Sequence, residues 1–420
     1  MKKPKLVAGI FSSRAPRQGR RSALAAALAL AAASAVAKAQ SPPASFSSNV
    51  STGSETVTVD FVQHPIRSSN FQVLVQDSAG NFTSQTPAAS RIYFGTVQGQ
   101  PGALAAGLLK ANGTLICRIY FENGVEWSST GGTASVRGNA NWTPAWPTSL
   151  VPSGGAGSTV YAAEVGIDAA NDQYVAAGSN VTDTVEISEF SVMAANLSYL
   201  RDAAILHRIG KVVVRTSLAQ DIYEPHGGDT GLLLDEVRDL WNNVINGTVG
   251  TTHDLALVAK PGSNGGLAWV GVVGTASRYS ANDAEGNGDF SIIWRHEAGH
   301  NWGSSHYEGG GNPEGSTIMS NNSLSRFSSS ELAKVIAHRN TKTGILDNLG
   351  AYSLPLPPRA NMDRANFTVG NSVTLDVLDN DSDSNGQAID ILSFASPTAK
   401  GGTVTLSAGT GPGGRDQLVY

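Results

Sequence analysis

Two hydrophobic periodicities divide the chain. From residue 40 to about 150, apolar and polar positions alternate with period two. Thr56-Val57-Thr58-Val59-Asp60-Phe61-Val62, Phe71-Gln72-Val73-Leu74-Val75 and the run from Leu115 to Phe121 all follow this pattern, with Ser/Gly/Asn turns between them. The pattern predicts a β-rich region that closes at the Pro/Gly/Ser-rich stretch 143–158. From Val160 onwards, strand-like runs such as Lys211 to Arg215 and Leu255 to Val258 are interleaved with helical spacing. One helix is expected over Leu232 to Ile245, with Leu233, Val237, Leu240 and Val244 on one face. Another is expected from Ser328, where Ser328 and Glu331 form a capping box ahead of Leu332, Val335 and Ile336. Strands alternating with helices predict a mixed sheet with covering helices. Leu354-Pro355-Leu356-Pro357-Pro358 reads as a stiff extended linker, and residues 359–420 return to strands and turns.

Composition sharpens this division. Charged residues are only 15% of the 420 positions, against about 25% in typical domains. The 47 glycines favour a turn-rich, strand-rich chain over long helices. The net charge of −5 hides an asymmetry, because eight of the 29 Lys/Arg and none of the 34 Asp/Glu lie within residues 1–39. The remainder is therefore strongly acidic, which argues against a nucleic-acid partner. Lys2, Lys3, Lys5, Arg14, Arg17, Arg20 and Arg21 precede an apolar run from Ala23 to Ala37, and Ala37-Lys38-Ala39 is a small-x-small cleavage pattern. This is the layout of a bacterial-type signal peptide over 1–39. It implies export to the outside or the cell surface, with the Arg20-Arg21 pair hinting at the twin-arginine route and no stable membrane span expected after cleavage. Cys117 is the only cysteine, so a disulfide framework is excluded.

The chemistry concentrates in Ile292 to His306. On an α-helix, His296 and His300 differ by about 40° in azimuth and project from one face. If the helix continued, His306 would lie about 9 Å beyond His300, whereas two nitrogens on one zinc lie no more than about 4 Å apart. The chain must therefore leave the helix and turn back, and Gly303 stands where that turn is needed. Three neutral imidazoles leave the fourth zinc position open to water, which is a catalytic arrangement. Glu297, beside the first ligand, is placed to take that water's proton.

The string His296-Glu297-x-x-His300-x-x-Gly303-x-x-His306 resembles the extended zinc motif of the metzincin metallopeptidases. Ser316-Thr317-Ile318-Met319-Ser320 is similar to their Met-turn, which implies that Met319 packs beneath the ligands. Within that clan the chain most resembles the reprolysin (adamalysin) branch. Gly266-Leu267-Ala268-Trp269-Val270-Gly271 is similar to its substrate edge strand, Phe327-Ser328 opens the last helix as in relatives, and Tyr93 to Pro101 resembles a reprolysin prodomain segment. The resemblance, over roughly residues 45–352, implies an α+β catalytic domain with a mixed twisted sheet and an active-site helix. It also implies a β-rich prodomain holding a zymogen, one catalytic Zn2+, protein or peptide substrates, and an edge strand at Leu267, Ala268 and Trp269. The chain departs from the branch in having Tyr307 where an Asp usually follows the third His, in lacking the catalytic-domain disulfides, and in having no Tyr soon after the Met-turn.

The expected organisation is a signal peptide (1–39), a prodomain-like region (40–155), a zinc peptidase domain (156–352), a Pro-rich linker (353–358) and a module at 359–420. That last module resembles a partial cadherin-like or adhesin-type β-sandwich. Its Asp381-x-Asp383-x-Asn385-Gly386 spacing suits Ca2+, although the Glu needed for an EF-hand is replaced by Leu392. Cys117 shares a strand face with Leu115, Ile119 and Phe121, which favours a core thiol over a cysteine switch. His64, His207, His226, His253 and His338 have no ligand-like spacing. The competing reading is an adhesion protein with a vestigial protease domain, and an intact Glu297 speaks against it.

Overall fold

The computed structural model describes residues 41–138, 155–245, 253–306, 317–321 and 325–420. The leader, most of the 143–158 stretch and Tyr307 lie outside the described residues.

The N-terminal region forms β1 (Ser45–Ser51), β2 (Thr56–Gln63), β3 (Arg67–Gln76), β4 (Phe82–Gln85), β5 (Ile92–Val97), β6 (Gln100–Leu109), β7 (Leu115–Tyr120), β8 (Glu126–Ser129) and β9 (Ser135–Arg137). Seven of them make an antiparallel sheet in the order β1-β2-β5-β6-β7-β8-β9. One face packs Val59, Phe61, Tyr93, Ala105, Cys117, Ile119 and Trp127 into a core of its own. Gly95 and Gly107 flank the Phe61 ring, where any Cβ would lie within 3 Å of it. On the other face Phe94, Leu104, Ala106, Leu108, Ile116 and Tyr120 join the main core of the molecule. Strands β5 to β7 are thus buried on both faces.

A second sheet follows from β10 (Val160–Ala169), β11 (Ile205–Arg215), β12 (Leu255–Ala259), β13 (Gly266–Ala268) and β14 (Tyr279–Asn282). Its order is β13-β14-β12-β10-β11-β3-β4. Strands β14, β12, β10, β11 and β3 run parallel, while β13 and β4 are antiparallel margins. β15 (Asp347–Gly350) also pairs with β10. The second sheet thus spans the boundary expected at 155/156, because β3 and β4 from before it pair into the sheet built after it. Alternation marks β3 as a strand but is silent about its partner, and here Gln72 to Gln76 pair with Lys211 to Arg215.

A helix at Val181–Ala203 crosses between the two sheets. The Asn180 side chain accepts from Asp183 N at its start, and Ala204 ends it in the left-handed region. It is buried all round from Thr184 to Ala203, and polar residues such as Thr184, Glu186, Ser188, Glu189 and Asn196 lie on several of its sides, so no clean apolar stripe marks it in the sequence. The helix expected to run to Ile245 ends at Leu240, and Trp241–Ile245 widens into a π-helix. That change turns Trp241 and Ile245 inward and leaves Val244 exposed, contrary to the expected face. The capping box at Ser328 is present, with both of its bonds, at the start of helix Ser329–Thr341.

Residues 359–420 contain β16 (Thr374–Leu375), β17 (Thr405–Ser407) and β18 (Gln417–Val419), three short strands in one small sheet. No second sheet packs on it among the described residues, so the expected β-sandwich is not seen. The acidic loop instead folds back onto the rest of the chain, where Ser384 Oγ donates to Leu200 O and Tyr352 N donates to Ser384 O.

Candidate metal centre

The active-site helix spans Ser291–Asn301. Asp289 fixes its start by accepting from Ser291 N at 2.9 Å and from Ser191 Oγ at 3.0 Å. His296 and His300 lie one turn apart on this helix. Beyond it Gly303 adopts φ +98°, with Gly303 N donating to His300 O and Ser304 N to Gly299 O. The reversal brings His306 back to the pair. His306 Nε2 lies 2.8 Å from His296 Nε2 and 3.1 Å from His300 Nε2.

The outer nitrogens of the helical pair are also engaged. His296 Nδ1 lies 2.6 Å from Ile318 O, and His300 Nδ1 lies 2.8 Å from Ser304 O. A carbonyl can only accept, so both Nδ1 atoms carry protons and both Nε2 lone pairs face inward. Burial pushes His296 down to about 4 and lowers His300 as well, which keeps the rings neutral, as metal ligands must be. His306 Nε2 lies within the roughly 4 Å span of zinc-bound nitrogens from both partners, and all three ligand atoms lie within 4.8 Å of one another, a gathering that fits a single zinc ion. Among the described residues these three histidines are the one group of three or more ligand side chains so gathered.

Met319 is fully buried against the helix, and a Cβ at Gly299 would collide with its sulfur. Sequence reading did not anticipate the part played by Ile318, since a backbone carbonyl leaves no mark in a motif. Trp302 and His207 were also missed as supports. Trp302 Nε1 donates to His207 Nε2 at 3.0 Å, while Asn196 holds the other side of the His207 ring.

Glu297 is 4% exposed, and burial pushes its carboxyl up to about 8. It abuts Gly266 in β13, where a Cβ would collide with the carboxylate and with Ile293. β13 is the terminal strand of its sheet, with Leu267 41% exposed and Ala268 and Trp269 half-buried. The Arg238 guanidinium lies over the Trp269 ring at 5.3 Å. Asn301 Nδ2 donates to Trp269 O at 3.0 Å, and Gly271 N donates to His300 O at 2.9 Å. These bonds tether the strand's exit to the helix end.

The sequence profile described as "Metallo-peptidase family M12B Reprolysin-like" matches residues 187–307, from the long helix through the last histidine. Over those residues the chain is similar to the reprolysin-like metallopeptidases. No curated protein matches it. Among solved structures that are similar at low identity, two illustrate the likeness. Metalloproteinase-II from Bacteroides fragilis is 12% identical over 71% of this chain and 92% of its own, with a TM-score of 0.38. A chaperone-substrate complex is 16% identical over 65% of this chain and 45% of its own, with a TM-score of 0.35.

The residues expected to suit calcium take part in turn and docking hydrogen bonds. Asp381 Oδ1 accepts from Asn361 N, Asp383 Oδ1 accepts from Asn385 N and Gln387 N, and Asn385 Nδ2 donates to Tyr352 O and Leu354 O. The spacing that suits a cation serves here as an Asx turn docking the loop. Cys117 lies in the N-terminal core, and burial pushes its thiol up to about 12. A thiol held protonated in that core is unsuited to capping a metal.

Proposed function

We propose that the protein is an exported zinc-dependent endopeptidase. The observation that carries this reading is the convergence of His296, His300 and His306 through Nε2, with a buried carboxylate against an open strand margin. Zinc held by the three rings would act as a Lewis acid on the scissile carbonyl and on water. Glu297 accepts the proton from the attacking water and delivers it to the leaving amine. Its desolvated position favours holding that proton between the two transfers. Ile318 O and Ser304 O keep both helical imidazoles in one tautomer throughout. Met319 supports the floor of the site from beneath Gly299. β13 receives substrate as an added strand through backbone bonds, so Leu267, Ala268 and Trp269 meet the chain near the scissile bond.

Export rests on the leader at 1–39, and no helix among the described residues is long and apolar enough to cross a membrane. The adhesion reading finds no favouring observation, because Glu297 stands intact beside its ligands. The test is hydrolysis of a denatured protein by residues 40–420. Activity should vanish with a chelator, return with zinc, and stay near background in Glu297→Ala despite unchanged zinc content. Equal turnover by that variant would exclude Glu297 as the base.

A further inference from the structure

The N-terminal strands meet the peptidase half at three separate places. The first is the sheet itself, where β3 pairs with β11 from Gln72↔Lys211 to Gln76↔Arg215. β11 is buried along nearly its whole length, so losing β3 would expose a row of backbone groups that now have partners. The second is the long helix. Arg67 pairs with Glu189, Arg91 with Glu186 at 3.7 Å and Lys110 with Asp183 at 2.9 Å, while Phe94, Leu104 and Ala106 share its core.

The third lies behind the active-site helix. Glu126 on β8 takes Arg295 Nη1 at 2.7 Å and Arg118 Nη1 at 2.6 Å. Arg118 Nε reaches Asp289 at 2.7 Å, the residue that holds the start of that helix. Arg118, Glu126, Asp289 and Arg295 are all buried, and Arg295 immediately precedes the first zinc-binding candidate. Taking away residues 45–137 would remove carboxylate and guanidinium partners from charges that have no access to water.

A region built to block the cleft would be expected to touch its residues. The contacts described for His296, His300, His306 and Glu297 come from Ile318, Ser304, Gly266 and one another, with none from residues 45–137. We infer that residues 45–137 stay in the working enzyme as a permanent half of its fold, in place of the releasable prodomain that the sequence suggests. This rests on the peptidase reading for the word enzyme, and on the packing alone for the permanence.

Two arms test it. In the first, the full chain is secreted, captured on an immobilised hydroxamate directed at zinc sites, and weighed intact by mass spectrometry. The retained species should include residues 45–137, either continuous or as a nicked piece that separates only in denaturant. A retained species that begins after Gly138 and lacks them overturns the inference. In the second, a specific protease sequence is inserted after Gly138, the purified chain is cut, and the product is run on native gel filtration. Both pieces should co-elute as one particle and part only in denaturant, and separation in native buffer overturns the inference. The second arm needs no metal. A chain that holds no zinc but stays together would sink the peptidase reading and leave the permanence standing.

Discussion

Glu126 and Arg295 are 169 positions apart in sequence, yet they form a fully buried ion pair at 2.7 Å. One group comes from the N-terminal sheet and the other from the helix bearing two of the zinc-binding candidates. Breaking one side of such a pair strands the other. Glu126→Ala should lower unfolding free energy by about 3–5 kcal/mol, read from chemical denaturation of the full chain. A loss below about 1 kcal/mol would mean that the pair carries little.

The same carboxylate sets a pH dependence. Burial alone would raise its pKa, but Arg295 and Arg118 outweigh burial and hold it below the ordinary value. A depressed folded pKa gives stability that is present at neutral pH and fades as pH drops beneath the unfolded value of about 4.3. Denaturation midpoints of wild type should therefore fall from pH 5 towards pH 3 more steeply than those of Glu126→Gln. Parallel curves would remove this group as a source.

Gly299 leaves room for Met319. Gly299→Ala should cost about 1–3 kcal/mol through overpacking and weaken zinc retention against a competing chelator. Unchanged retention would show that Met319 is only filling space.

Gly266→Ala tests the approach of β13 to the base. The added methyl meets the Glu297 carboxylate, so kcat on a peptide should fall at least about tenfold with zinc content unaltered. Full activity would place the working carboxylate elsewhere.

Cys117 should behave as inert filling. With its thiol buried and raised to about 12, alkylation in native buffer should be undetectable over hours and complete in denaturant. Rapid native labelling would reopen the switch.

What could be read from the residues, and what could not, follows from how local each cause is. His296, His300 and Gly303 were legible because helix azimuth and a forced reversal are short-range geometry. The Ser328 cap was legible for the same reason. The helix at Val181–Ala203 was hidden because it is buried on every side with polar residues spread around it, which leaves no clean apolar stripe to reveal a helix. β3 read correctly as a strand but not as a member of the peptidase sheet, since pairing with β11 depends on residues far along the chain. Ile318 and Ser304 act through main-chain carbonyls, which any side chain could accompany. Asp381, Asp383 and Asn385 are ambiguous in sequence because an Asx turn and a cation loop call for the same oxygen-rich residues.

A margin as short as Gly266–Ala268 has one further implication. It offers main-chain hydrogen bonds to whatever lies beside it, and a visiting segment can answer only when its own main chain is free. Polypeptide already committed to helices or interior strands has nothing to give. Under the proposed activity, vulnerability to cutting would then follow how readily a target frays locally, with the identity of its side chains a lesser influence.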